Sequence, residues 1–189
     1  RSRLKAGDHA VVMGAGPIGL LTLQCARLAG ARTVVVTEVD STRAALASRL
    51  GATTVLDPTQ DNVSIALANL TGGFGPDVIY VCTGAPAPFR DAISLVRKGG
   101  QIFVLGVCVE PVDMDLMSVA LGDLCIEGSL AGRAEFPTAI DLVAQRRIDV
   151  ESLVSHEIAL DEVVTKGFSV LDTPNSGAIK ILVQIGGEA

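Results

Sequence analysis

The 189-residue sequence predicts an α/β fold, a doubly wound parallel sheet of six strands, followed by a segment outside that pattern. Three observations carry this expectation. Short apolar runs rich in Val and Ile alternate with helix-length segments, and such alternation builds a parallel sheet covered on both faces. The composition agrees: 49% of residues are hydrophobic and only 3% aromatic, which suits strands read as continuous aliphatic runs. Finally, the run Val11-Val12-Met13 breaks into Gly14-Ala15-Gly16-Pro17-Ile18-Gly19 and continues as an apolar, helix-like stretch.

The elements follow in order. A strand is expected at residues 11–14 and a helix at 17–29, opened by Pro17 and stopped by Gly30. Proline suits the first helical position because its φ is already helical and its missing N–H would have had no partner there. A second strand spans 33–38. Ser41 can cap a helix running to about residue 50, with Gly51 as its stop. Residues 54–56 form a short strand, and 62–70 a helix ended by Thr71-Gly72-Gly73. A strand at 77–81 closes on Cys82-Thr83-Gly84, and a helix from 88 to 96 ends near Gly99-Gly100. Residues 101–105 are the fifth strand. An irregular stretch follows, then a sixth strand at 124–128 and a helix at 136–146. Ligands of such a sheet bind outside the carboxyl ends of the strands, here marked by Gly14, Gly84, Gly106 and Gly128.

The glycine run carries the chemistry. G-x-G-x-x-G between a strand and a helix, with an acid 24 residues after its first glycine, is the fingerprint of a dinucleotide-binding βαβ unit, the start of a Rossmann fold. Gly14 permits the tight turn, Gly16 lets a pyrophosphate approach the backbone, and Gly19 lets the helix pack on the strand. The helix N-terminus offers N–H groups to the phosphate charge. The acid, Glu38, can accept from both ribose hydroxyls, and a carboxylate there repels a 2′-phosphate, which favours NAD over NADP. Asp40 is a rival for the ribose. Arg43 pulls the other way, since a nearby arginine can accommodate a 2′-phosphate; otherwise it is an exposed charge. Cys82 and Thr83 end the fourth strand at the crevice, where backbone contact with a cofactor is expected and a catalytic thiol is not, because no base stands near.

Other classes are set aside. A net charge of −6 argues against a nucleic-acid partner. Residues 10–30 are apolar, but their glycine cluster, Pro17, Gln24 and Arg27 read as a buried strand-turn-helix, not a membrane span. Gly128-Ser129-Leu130-Ala131-Gly132 is not the G-x-S-x-G of a hydrolase. Cys25, Cys82, Cys108 and Cys125 form no C-x-x-C and are expected to be buried free thiols, which fits a cytoplasmic location. His9 and His156, the two histidines, lack metal-ligand spacing and are read as structural.

Several neighbours of the turn point to a family. They are Leu4-Lys5-Ala6-Gly7-Asp8-His9-Ala10, Val36-Thr37-Glu38 with Arg43, Leu50-Gly51-Ala52, Asp77-Val78, Cys82-Thr83-Gly84, Gly99-Gly100, Val104-Leu105-Gly106 and Gly128 with Gly132-Arg133. This set resembles the cofactor half of zinc-dependent medium-chain dehydrogenases, nearest the threonine, butanediol and sorbitol branch. Phe136 and Thr138 after Gly132-Arg133, with Val154-Ser155-His156 and Ser176-Gly177, lean toward the threonine side.

The resemblance implies that residues 1–150 are an NAD-binding domain and that 151–189 are a return segment of a catalytic domain otherwise absent. That segment reads as an extended run (153–160), a helix (161–171), a turn at Asn175-Ser176-Gly177 and a strand-like run (179–185). The start Arg1-Ser2-Arg3, running almost at once into a strand, reads as the inner part of a longer protein. The resemblance further implies that zinc ligands and proton-relay residues lie in the missing half. The chain would then bind NAD(H) but not turn over a small alcohol by itself.

By the same resemblance, Ile18 matches a pyrophosphate-turn residue, Glu38 the ribose-binding acid and Arg43 a residue over the adenine ribose. Leu105-Gly106-Val107 match a segment beside the nicotinamide, and Leu130-Ala131 a second one. Arg133 is either a cofactor contact or a surface arginine. Residues 124–130 and the apolar stretch 114–121 are candidates for a homo-oligomer interface. The alternative functions are a stand-alone NAD-binding or redox-sensing module and, more distantly, a methyltransferase.

Overall fold

The structure is a computed structural model that describes residues 1–132, 134–173 and 176–186. Six strands, β1 (His9–Met13), β2 (Thr33–Thr37), β3 (Thr54–Leu56), β4 (Val78–Val81), β5 (Gln101–Val104) and β6 (Cys125–Gly128), form one sheet in the order β3-β2-β1-β4-β5-β6. Every neighbouring pair is parallel. Successive strand residues point to opposite faces, so Val12, Val34, Val36 and Tyr80 meet the helices α1 (Pro17–Leu28) and α2 (Ser41–Arg49). Val11, Val35, Ile79 and Ile102 meet α3 (Val63–Leu70) and α4 (Pro86–Leu95) on the other face. This is the doubly wound sheet the sequence predicts.

Local chemistry moved several boundaries. The cap of α2 is Asp40, not Ser41; Asp40 Oδ1 accepts the Arg43 N–H at 2.9 Å, and Ser41 is already helical. Helix α4 starts at Pro86, two residues early. Both Pro86 and Pro88 fit in the first turn, where N–H groups have no intrahelical acceptor. The stretch between β5 and β6 holds a short helix, α5 (Leu116–Leu121), capped by Asp115, whose Oδ1 accepts from the Met117 and Ser118 N–H groups. Six residues of nearly uniform apolarity display no helical period. Helix α6 (Phe136–Ala144) ends two residues short of 146, because Arg146 takes a left-handed backbone (φ 55°).

The tail forms two parallel strands, β7 (Val154–Ala159) and β8 (Lys180–Gln184). Between them the expected single helix is instead a 3₁₀ turn (Leu160–Glu162), a π-helical turn (Val163–Phe168) and a helical turn (Ser169–Leu171). The Ser169 hydroxyl donates to the Val164 carbonyl, five residues back, which matches the wider π spacing. Asn175 of the expected turn lies outside the described residues.

The tail is anchored on the sheet's α1–α2 face. Leu153 and Ile179 join that core, Gln24 exchanges two hydrogen bonds with the Asp149 backbone, and Arg43 Nη2 donates to the Ala178 carbonyl at 2.9 Å.

Cys25, Cys82, Cys108 and Cys125 are free thiols, but the expectation of burial fails for Cys25, which is exposed, and only partly holds for the others. The buried side of α1 is Gly19, Leu20, Leu23, Gln24 and Ala26, and Cys25 turns outward from it. Among the described residues, no helix is long and apolar enough to cross a membrane.

Candidate functional site

The sheet order reverses between β1 and β4, and the crevice opens where their carboxyl ends diverge. Three glycines shape its floor, each for its own reason. Gly14 has φ 96°, and a Cβ there would stand 3.3 Å from the Thr83 Cβ. A Cβ on Gly19 would lie 1.8 Å from the Gly14 carbonyl oxygen, so only glycine lets α1 seat against the turn. Gly16 differs: its backbone is ordinary (φ −68°), and nothing lies within 4 Å of where its Cβ would be. That open side is the approach for a ligand. Helix α1 begins with Leu20 N–H donating to the Gly16 carbonyl, which leaves the N–H groups of Ile18 and Gly19 ahead of its first internal bond.

Glu38 forms the opposite wall. Its Oε2 accepts the Ala15 N–H at 2.7 Å, and Oε1 accepts the Val39 and Asp40 N–H groups at 2.8 and 2.9 Å. Its rival Asp40 is buried and occupied as the α2 cap. Glu38, Arg43, Thr83 and Pro58, but not Asp40, line a cleft of about 410 Å³, and a hollow of about 380 Å³ sharing Thr37, Pro58 and Pro88 continues it along α3 and α4. Arg43 Nη2 is held by Ala178, and its Nε is buried with no hydrogen-bond partner among the described residues.

The ends of β4 and β5 close the other half of the crevice. Burial pushes the Cys82 thiol up to about 12, and it donates to Thr22 Oγ1 at 3.7 Å; such a thiol stays protonated at neutral pH. Leu105 and Gly106 both donate to the Val81 carbonyl, and a Cβ on Gly106 would stand 2.0 Å from the Thr83 carbonyl oxygen. Val107 projects into solvent beyond this contact. Leu105 and Ile18 line a separate hollow of about 440 Å³ against α1, with Thr22, Cys25 and Tyr80.

Gly14, Gly16, Glu38, Arg43, Cys82 and Thr83 thus line one crevice, with Pro17 next to Gly16 at the start of α1 and Leu105–Val107 after β5 beside it. Leu130 and Ala131 lie two strands away, exposed in the loop after β6, with Ala131 at φ 58°. Arg133 lies outside the described residues. Pro58, Val39, Ala85 and Pro88 line the cleft without having been singled out in the sequence. Pro58 was findable, because it follows the carboxyl end of a predicted strand.

The histidines do not enter the site. His9 Nδ1 pairs with Thr33 Oγ1 at 2.8 Å at the amino ends of the strands, and His156 Nδ1 pairs with Ser155 Oγ at 2.9 Å in β7. Among the described residues, no three His, Cys, Asp or Glu side chains are grouped to hold a metal ion.

Comparison with known proteins places this arrangement. Residues 17–145 match the family model described as zinc-binding dehydrogenase. The chain is 33% identical to (R,R)-butanediol dehydrogenase of Bacillus subtilis over 184 residues, covering 97% of this chain and 52% of that protein. It is equally 33% identical over 175 residues to L-threonine 3-dehydrogenase of Rhizobium rhizogenes, covering 92% and 50%. The X-ray structure of 2R,3R-butanediol dehydrogenase from Bacillus subtilis superposes with a TM-score of 0.89 at 31% identity, over 98% of this chain and 53% of that one. A zinc-binding dehydrogenase from Sinorhizobium meliloti, solved bound to NADP, gives 0.87 at 34% identity, over 96% and 54%. The chain therefore spans about half the length of the relatives it matches. With the family model, the parallel sheet and the crevice in agreement, the chain belongs to the zinc-binding dehydrogenase family, as the cofactor-side half of a medium-chain dehydrogenase.

Proposed function

We propose that this chain is the NAD-binding portion of a zinc-dependent dehydrogenase acting on a secondary alcohol, a polyol or an amino alcohol. The observation that carries the cofactor reading is the open face at Gly16 opposite the Glu38 carboxylate. Bound NAD would supply the hydride acceptor. The chain's own part is orientation: Gly16 and the start of α1 receive the pyrophosphate, Glu38 accepts from the adenosine ribose, and Leu105–Val107 flank the nicotinamide. Leu130 and Ala131, in the loop after β6, are read as a second segment toward that flank. The described residues do not fit a catalytic zinc. We read the zinc ligands as lying in the length of the relatives this chain does not cover, so that the chain alone would turn over no alcohol.

The preference is for NAD. Glu38 would repel a 2′-phosphate, and the Ala178 carbonyl holds the Arg43 guanidinium. The NADP-bound relative makes this a real choice within the family. Calorimetric titration should show NADH bound at least tenfold more tightly than NADPH. Equal affinities would overturn the NAD assignment, and binding of S-adenosylmethionine alone would overturn the dehydrogenase reading.

We divide the chain at residue 150, with 151–189 returning to the catalytic domain, and place the protein in the cytoplasm, where unpaired thiols persist. The complete protein is read as a homo-oligomer through the β6 edge. There Ile126, Leu116, Leu121, Leu130 and Phe136 are exposed on adjoining elements.

A further inference from the structure

Glu38 is fully engaged on one side and half engaged on the other. A carboxylate oxygen offers two lone pairs. Oε1 accepts two N–H groups, from Val39 and Asp40, whereas Oε2 accepts one, from Ala15. One acceptor position is left for a ligand. The Ala15 bond links two different crossings of the sheet: Ala15 is the middle residue of the Gly14-Ala15-Gly16 turn after β1, and Glu38 follows β2. Ala15 is also 0% exposed, so its N–H cannot turn to water if Glu38 lets go. A buried donor without an acceptor is costly, and the peptide would have to rotate to find one. That same stretch of backbone presents the Gly16 face and the first N–H groups of α1.

We propose that Glu38 is the positioning residue of the pyrophosphate turn as well as the acceptor for a single ribose hydroxyl. The inference rests on the dinucleotide reading and deepens it: affinity for the phosphates is set partly by a side chain that never touches them. Ribose and pyrophosphate recognition are then coupled through one carboxylate.

The test uses ligands that remove the ribose contact from the comparison. Calorimetric titration is run on the unaltered chain and on Glu38→Ala, with NAD and with an NAD analogue lacking both hydroxyls of the adenosine ribose. If Glu38 acts only on those hydroxyls, the substitution has no effect on the analogue. The expected result is that Glu38→Ala still binds the analogue roughly fivefold more weakly, the effect of about one hydrogen bond. Binding of 2′,3′-dideoxyadenosine, followed by NMR, should be unchanged, whereas general damage to the cleft would weaken both ligands. The Ala15 amide should also exchange faster in the variant.

Equal affinity of both proteins for the analogue overturns the inference and leaves the NAD reading standing. An unaltered chain that binds neither dinucleotide overturns both. Should Glu38→Ala not fold, Glu38→Met makes the same comparison at nearly constant side-chain length, without an oxygen to accept the Ala15 N–H.

Discussion

At the scale of single residues, three glycines that look equivalent in the sequence do different work. Gly19 and Gly14 are required by the folded chain itself, through a forbidden Cβ contact and a left-handed backbone. The fold itself does not require Gly16, where a Cβ would meet open space; the proposed pyrophosphate would. Gly19→Ala should cost on the order of 3 kcal/mol in urea denaturation, since backbone must move to admit the methyl group. Gly16→Ala should change stability by less than about 1 kcal/mol while abolishing measurable NADH binding. A Gly16→Ala chain that binds NADH normally would remove Gly16 from the pyrophosphate site. The motif's spacing was legible in the sequence, as was Glu38. The carboxylate's hold on the buried Ala15 N–H was not, because it depends on how β1 and β2 end side by side.

At the scale of elements, strands were easier to read than the connections that cap them. Thr54–Leu56 matches its expected range, because turn residues bound it on both sides and parallel pairing with residues 35–37 fixes its register. Helix starts slipped where two capping residues adjoin, as at Asp40-Ser41, or where two prolines share a first turn, as at Pro86 and Pro88. One long-range tie joins three elements. Asp77, just before β4, accepts the His9 N–H of β1 at 2.7 Å and Arg97 Nε, beyond α4, at 2.6 Å. Burial pushes this carboxyl upward, but the His9 N–H and the Arg97 guanidinium outweigh it and hold it below the usual carboxylate range.

Its folded value being depressed, Asp77 contributes stability that is fully present above the unfolded value of about 3.9 and lost as pH falls through the lower folded value. Asp77→Asn should lower the urea midpoint at pH 7 and make its fall below about pH 4 shallower than in the unaltered chain. Parallel pH curves for the two proteins would rule out that role.

At the scale of the whole molecule, the exposed surfaces are instructive. Among the described residues β6 pairs only with β5, and Leu116 and Phe136, 72% and 69% exposed, lie on the helices before and after it in the chain. An open edge with apolar neighbours is a pairing surface. Light scattering on the complete protein should give a mass above the monomer, and Ile126→Lys, on the edge strand, should shift it downward. A monomeric mass for the unaltered protein would count against this interface. Among the described residues, β7 and β8 form a sheet of two strands, a size that is marginal by itself.

The sequence by itself determined the fold class, the dinucleotide turn and the acid that faces it. These depend on local patterns: aliphatic runs of strand length, glycines at fixed offsets, and a carboxylate after the second strand. The tertiary structure alone decided what each side chain is free to do. It assigned Asp40 to a helix cap, tied Arg43 to Ala178, turned Cys25 outward and seated Leu153 and Ile179 of the tail in the same core as α1 and α2. The reason is physical: hydrogen-bond capacity and burial are settled between partners far apart in the chain, and such partners meet only when the sheet is assembled.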